Sequence, residues 1–411
     1  MDDSVALDVR RRMAYEQART DPPPGFPELP DIPLARYTDP DFYQAELDGV
    51  FRKSWLFAGH VSEWPENGHY RKLPIPFAPV IVVRGQDGVL RAFLNSCRHR
   101  GAPVVRDDAG CARHLVCQFH SWSYNLTGEL VGVTERRDFV NLDLETRRLT
   151  ELPCQSWGGM VFISLDASAP DLLSWLGTID DIYGDLARTP SLRKIDTTTY
   201  HEDCNWKVMV DAFLENYHVK TVHKDTLRPR LDDRGTVIDL HPNGHSGLHI
   251  PYRPEVGDGV WHTELPRMQV HEMYRTTVQS FTVFPNLLMG TETDTGFFFV
   301  QWWPLGVRQT RMDVTWYGVD WGEGERSAEW DIKLFGSELL MQEDLINVEP
   351  IQHSLDAAAH AGIPLSYQER RIWHAHAAID RAIGLDRVPA GMRVPDLLAP
   401  MVTTPSAAMA E

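Results

Sequence analysis

Two cysteines and two histidines in two short loops constrain this chain more than any other feature. Cys97 and His99 are separated by one residue, Cys117 and His120 by two, and seventeen residues lie between the pairs. Each pair falls in a turn-like stretch after a β-type run, Asn95-Ser96-Cys97-Arg98-His99-Arg100-Gly101 and Cys117-Gln118-Phe119-His120-Ser121-Trp122. Five cysteines in 411 residues do not make a disulfide framework. Closely spaced thiols with imidazoles point to metal instead. Four such ligands could hold Zn²⁺ tetrahedrally, but common structural zinc sites pair Cys with Cys and His with His.

Here each loop offers one of each. A Rieske [2Fe-2S] centre needs that division, because two thiolates hold one iron and two imidazoles hold the other. The remaining cysteines are spectators on this reading, Cys111 in an insertion loop and Cys154 and Cys204 as small buried hydrophobes.

The surroundings fit a small all-β domain. Residues 80–84, 89–94 and 160–165 are β-type runs, the first two separated by Gln86-Asp87-Gly88. After a polar, helix-like connector at 171–188 the habits change: 205–223 has helical apolar spacing, 279–285 and 295–304 read as strands, and 328–360 as long helix. The fold class is α+β, a β domain followed by an antiparallel sheet covered by helices. The expected domains are an N-terminal segment at 1–50 packing on the catalytic domain, the cluster domain at 51–170 and the catalytic domain at 171–411. Only residues 21–33, rich in Pro, and the small, polar 403–411 look loose.

A second constellation is Asp211-Ala212-Phe213-Leu214-Glu215-Asn216-Tyr217-His218-Val219-Lys220-Thr221-Val222-His223. On an ideal helix His218 and His223 would stand about 140° apart, so they can share a metal only if the helix is distorted or ends between them. The bland alternative is two ordinary histidines. Two His and one carboxylate on one face of Fe(II) leave positions open for O₂, and such a site would account for a chain this much longer than a cluster domain.

The cluster loops, with Ala102, Ser123, Tyr124 and the turn glycine Gly128, resemble the Rieske domain of ring-hydroxylating oxygenase large (alpha) subunits. The resemblance covers residues 37–360 and implies a catalytic domain of helix-grip type, holding mononuclear Fe(II) on His218, His223 and an Asp from a late helix. Asp344, in Gln342-Glu343-Asp344-Leu345, takes the ligand position, with Glu343 as the alternative. It also implies that Glu215 joins the iron-bound His of one subunit to a Rieske His of the next. Glu in place of the usual Asp resembles the carnitine, glycine betaine and choline monooxygenases and implies a homotrimer without β subunits. Asp211 is a candidate partner for an iron-bound imidazole, or a helix N-terminal charge.

No G-x-G-x-x-G fingerprint follows a strand, so electrons from NAD(P)H must arrive through a separate flavin reductase, with or without a ferredoxin. A formal charge of −18 repels phosphate backbones and anionic lipid, which argues against nucleic acid and membrane partners. The acidic start with Arg10 to Arg12 and no apolar stretch reads as no secretory signal, and a cytoplasmic protein is expected. The expected substrate is a small organic molecule, aromatic or, through cation–π contact with an aromatic-lined pocket, a quaternary ammonium compound; Phe281, Phe284, Phe297, Phe299, Trp302 and Trp303 are available for such a pocket, though at strand spacing most of them are expected in the core. The loop 241–249 with its three histidines is expected at the pocket edge. The rival is a Rieske electron-transfer protein whose second domain only binds a partner.

Overall fold

The computed structural model describes residues 1–189, 191–256 and 263–403. It divides into two compact units, Arg52–Leu172 and Met1–Phe51 with Leu173–Glu411. The chain enters through α1 (Asp3–Ala18), absent from the sequence reading. Asp2 caps it by accepting from the backbone N–H groups of Ser4 and Val5 at 2.8 and 3.0 Å.

The first unit is all β. Its strands are β1 (Trp55–His60), β2 (His69–Leu73), β3 (Val80–Arg84), β4 (Leu90–Leu94), β5 (Ala109–Cys111), β6 (Leu115–Val116), β7 (Ser123–Tyr124), β8 (Leu130–Gly132), β9 (Glu151–Leu152), β10 (Cys154–Trp157) and β11 (Met160–Ser164). They form antiparallel sheets ordered β9-β4-β3-β2-β5, β10-β11-β1 and β6-β7-β8. Ile81, Val83, Phe93, Leu115 and Tyr124 make a core that includes Cys97 and Cys117. The two thiols are therefore anchored from inside, whereas the loops carrying the imidazoles sit at the surface.

The second unit is built on an antiparallel sheet ordered β12-β18-β17-β16-β15-β14-β13. These strands are β12 (Leu192–Glu202), β13 (Val237–Leu240), β14 (Ser246–Pro251), β15 (Thr277–Val283), β16 (Leu287–Thr293), β17 (Gly296–Gly306) and β18 (Gln309–Val319). Around it lie α2 (Ile179–Ala187), α3 (Trp206–Phe213), α4 (Glu329–Asp356) and α5 (Arg370–Ile383). The expected strands and late helix are present as β15, β17 and α4.

Strand alternation gives the sheet two unlike faces. The register aligns Leu248 with Ser280, Ile250 with Val278, and Phe298 with Trp316 on one face. On the other, Tyr183 of α2 stacks on His249 and Phe281, with ring centroids 5.6 and 4.5 Å apart. α4 covers the first face, tied there by Trp316 Nε1 donating to Ser337 Oγ at 3.2 Å.

Two expectations need correction. The helix expected over 205–223 stops at Phe213, and the chain continues through a 3₁₀ turn, Tyr217–Lys220. The stretch 241–249 is not a loop but the β13–β14 hairpin, and its His241, His245 and His249 are fully buried. Thr178 Oγ1 meets His241 Nδ1 at 2.9 Å, Tyr183 Oη meets His249 Nε2 at 3.0 Å, and His245 Nδ1 accepts from the Phe284 N–H at 3.0 Å. Leu248 of this stretch lines a cavity, so the hairpin edges a pocket through an apolar residue and not through its histidines. Polar composition suggested a loop; paired, buried imidazoles make it core.

Candidate metal centres

The two cluster loops close in the same way. The Gly101 N–H donates to Cys97 O at 2.9 Å and the Ser121 N–H to Cys117 O at 2.8 Å, with both turn residues in the left-handed region, φ 80° and 58°. Each turn returns the chain beside its cysteine, since the Cys97 N–H donates to Ala102 O and the Cys117 N–H to Trp122 O. His99 Nδ1 and His120 Nδ1 face each other at 3.1 Å. His99 stacks on Trp122, centroids 4.8 Å apart at 12°, which fixes the ring plane. Tyr124 Oη lies 3.3 Å from Cys97 Sγ and accepts from the Arg98 N–H at 2.9 Å. Burial raises the Cys97 pKa, against the opposing pull of the Tyr124 hydroxyl and the His99 N–H. Two buried free thiols behind two half-exposed imidazoles suit a cluster with one thiolate-held and one imidazole-held iron.

The second constellation converges around Asp344. One ligand atom each from His218, His223 and Asp344 lie within 4.8 Å of one another. His223 Nε2 is 3.0 Å and His218 Nε2 3.6 Å from Asp344 Oδ1. The end of α3 makes this possible, because the two imidazoles then stand on a turn and no longer on a single helix. Each Nδ1 has an outer carboxylate: Glu215 Oε1 is 2.5 Å from His218 Nδ1, and Glu343 Oε2 2.6 Å from His223 Nδ1. That leaves both Nε2 atoms turned to one point, as metal-binding imidazoles held by outer carboxylates are. Burial opposes the imidazolium of His218, but Glu215 and Asp344 outweigh it and its pKa is raised; His223 is raised likewise by Asp344 and Glu343.

Glu343, weighed in the sequence only as a substitute for Asp344, faces away from the convergence point and also accepts from Thr226 Oγ1 at 2.7 Å. Glu215 lies beyond α3, not one turn along it, and its Oε2 accepts from the His218 N–H at 3.1 Å. Asp211 is brought to neither His218 nor His223, and it stands late in α3, not at its N-terminus. It accepts from Tyr37 Oη at 2.7 Å, and His376 Nε2 lies 3.4 Å away. His376 Nδ1 accepts from Arg36 Nε at 2.9 Å, so the imidazole proton resides on Nε2. Beside this network Lys207 and Glu46 are both buried, Nζ to Oε1 2.8 Å, and Trp206 Nε1 donates to Glu46 Oε2 at 3.0 Å. Burial pulls the Lys207 pKa down to about 8 and raises that of Glu46. None of Arg36, Tyr37, Glu46 and His376 was singled out from sequence, since no short motif joins them.

Two cavities meet at the triad. One of about 160 Å³ touches His218, His223 and Asp344 and runs along the first sheet face past Leu248, Ile250, Leu288, Phe298 and Trp316. The other, about 360 Å³, touches His218 and Asp344 from the side of Tyr37, Asp211 and Ile372. Phe281, Phe284, Phe297, Phe299, Trp302 and Trp303 are buried core residues, as their strand spacing suggests for most of them. The aromatic walls are Phe298, Trp316 and Phe213. Gly290 makes room for the first: a Cβ there would lie 2.0 Å from Phe298 Cζ.

Residues 190–385 match the family described as ring hydroxylating alpha subunit (catalytic domain), and residues 54–146 match the Rieske [2Fe-2S] domain. The chain is 30% identical to 2-aminobenzenesulfonate 2,3-dioxygenase subunit alpha of an Alcaligenes species, over 61% of this chain and 65% of that protein. It is 35% identical to chlorobenzene dioxygenase subunit alpha of Cupriavidus sp. strain PS12, over 50% and 47%. It is 32% identical to the glycine betaine monooxygenase oxygenase subunit of Pseudomonas aeruginosa, over 49% and 46%. The chain thus spans about half to two thirds of the length of these relatives. Among solved structures, the quaternary ammonium Rieske monooxygenase CntA with L-carnitine superposes with a TM-score of 0.73 at 21% identity, covering 89% of this chain and 99% of that one. Naphthalene 1,2-dioxygenase from Rhodococcus sp. bound to indole gives 0.73 at 22%, covering 94% and 100%. At these identities the likeness is one of fold.

Proposed function

Because this chain joins a Rieske [2Fe-2S] domain to a ring-hydroxylating alpha-subunit catalytic domain and so belongs to the Rieske-type ring-hydroxylating oxygenases, we propose that it is a terminal oxygenase acting on a single-ring aromatic compound. The observation that carries the reading is the convergence of His218, His223 and Asp344 beside a largely apolar cavity. Cys97, Cys117, His99 and His120 would hold the cluster, and the triad would hold Fe(II). The chemistry such a pair of centres supplies is O₂ activation at iron(II), driven by electrons that reach it through the cluster.

The protein's own contribution is positioning. Glu215 and Glu343 fix the ring planes of His218 and His223 through their Nδ1 atoms, and a rigid ligand set keeps the remaining positions free. The apolar wall from Leu248 to Trp316 excludes water and orients the substrate. A cavity of about 160 Å³ is comparable with the engineered apolar cavity of about 150 Å³ that takes up benzene. Among the described residues no helix is long and apolar enough to cross a membrane; we place the protein in the cytoplasm, as a homotrimer supplied by a reductase with or without a ferredoxin. In that trimer Glu215 would link His218 to a cluster imidazole of the neighbouring subunit.

The test is metal analysis followed by turnover. About three Fe per chain are expected, against about two for an electron carrier, and oxygenated product should form from a panel of monocyclic aromatics with NADH, a surrogate reductase and O₂. Two Fe per chain and no product from any member of the panel would overturn the reading.

A further inference from the structure

Arg371 is fully buried near the start of α5, and among the described residues no carboxylate pairs with it. Its guanidinium is held by hydroxyls alone. Nε donates to Ser246 Oγ at 2.9 Å, Nη2 to Thr282 Oγ1 at 2.8 Å, and Nη1 reaches only Ser280 Oγ, at 3.5 Å. The last is longer than a normal N–H···O bond. A buried cation with no counter-ion in contact is expensive, and proteins ordinarily pair it; Arg371 feels the Asp239 carboxylate only without direct contact. Burial draws its pKa down to about 10, so it stays charged at neutral pH.

The sheet register places this cation. Ser246 pairs across the strands with Thr282, and Ser280 is two residues from Thr282 on the same strand, so all three hydroxyls share one face. That is the face of Leu248 and Phe298, and Ser280 itself lines the 160 Å³ cavity. Ser280 therefore has Arg371 on one side and the cavity on the other. Nη1 at 3.5 Å sets a positive charge behind this hydroxyl without a normal-length hydrogen bond, and the Ser280 proton is free to donate into the cavity. Among the described lining residues no Lys or Arg is present, and the other charged groups, Glu215 and Asp344, stand at the triad.

We propose that Ser280, backed by Arg371, is a specificity subsite that takes an oxyanion substituent, carboxylate or sulfonate, on the substrate ring. This rests on the oxygenase reading only for the identification of the cavity as the substrate pocket. Ser280 makes the contact, and Arg371 acts through it as a positioning and charge-compensating residue. The acidic oxyanion end thus lies at Ser280 and points the opposite end of the ring toward the triad.

Benzoate, benzenesulfonate and toluene are titrated separately by calorimetry into the anaerobic, fully iron-loaded, full-length protein. At least one anion should bind about tenfold tighter than toluene, the scale of a hydrogen bond to a charged group, and the stronger of the two identifies the oxyanion. Ser280→Ala should remove most of that preference by weakening the anions without weakening toluene. Arg371→Met should remove it entirely, and Arg371→Lys should retain part, which separates charge from packing. An anion held by the iron itself would be insensitive to these substitutions. Such insensitivity, or toluene binding as tightly as both anions in the unaltered protein, overturns the proposal. If Arg371→Met does not fold, Ser280→Ala decides alone. Anion binding that follows the expected pattern without any oxygenated product would sink the oxygenase reading and leave the subsite standing; product from toluene with no anion preference would do the reverse.

Discussion

Glu343 and His223 are joined at 2.6 Å through Oε2 and Nδ1, and the residue next to Glu343 meets the same imidazole from its other nitrogen. Adjacent acids on α4 thus clasp one ring from both edges, which assigns them different tasks. Asp344→Ala should abolish binding of mononuclear iron, whereas Glu343→Gln should weaken it about 10- to 100-fold, the usual effect of losing an outer partner. Chelator competition followed by iron analysis reads both. Full iron retention in Asp344→Ala with loss in Glu343→Gln would exchange the roles.

Tyr124 Oη at 3.3 Å from Cys97 Sγ predicts a separable effect on the cluster. Cys97→Ser should give protein lacking the visible Rieske spectrum. Tyr124→Phe should keep the spectrum but lower the reduction potential, because a hydrogen bond to a ligand sulfur stabilises the more negative reduced state. Protein-film voltammetry showing an unchanged potential would mean that the phenol only packs.

The Lys207–Glu46 pair is buried on both sides. Glu46→Gln should cost about 3–5 kcal/mol by leaving the ammonium without its counter-charge. Joint replacement, Glu46→Leu with Lys207→Met, should recover most of it. Urea midpoints of the unaltered protein, Glu46→Leu, Lys207→Met and the joint variant give the coupling, and additive losses would show that the pair is not a unit.

His241, His245 and His374 predict acid sensitivity of the second unit. Burial pushes them down to about 4, 3 and 4 respectively. The unfolded chain takes up these protons near pH 6.5, so between about pH 6.5 and 4 it binds more protons than the folded one. Stability should therefore fall as pH drops through that window. Replacing His374 by Gln should reduce the slope of stability against pH by up to about 1.4 kcal/mol per pH unit, one proton's worth. An identical slope in the variant would remove His374 from the account.

The cluster loops, the α+β class and the triad residues could be read from sequence because each announces itself within a short span or through a resemblance. Cys97 to His120 fit in twenty-four consecutive positions, and turn chemistry at Gly101 makes their loop explicit. Distance in sequence hid the rest. Arg36 meets His376 across 340 residues, and Arg371 meets Ser246 across 125. Apolar spacing persists to His223 after the backbone has turned at Leu214, so periodicity alone overruns the end of α3. α5 escaped notice because its buried face carries Arg370, Arg371, His374, His376 and Asp380, a composition that reads as solvent-facing unless its partners are known. The end of the chain, residues 404–411, lies outside the described residues.

The unlike faces of the seven-stranded sheet divide labour residue by residue along a single strand. Leu248 meets the cavity while His249 beside it is locked under Tyr183; Ser280 meets the cavity while Phe281 beside it lies in the same stack. Changes at alternate positions can therefore reshape what the enzyme accepts without disturbing what keeps it folded. The fold thereby has an inheritance in which appetite and architecture are written on separate lines, and lineages are free to revise the first while copying the second.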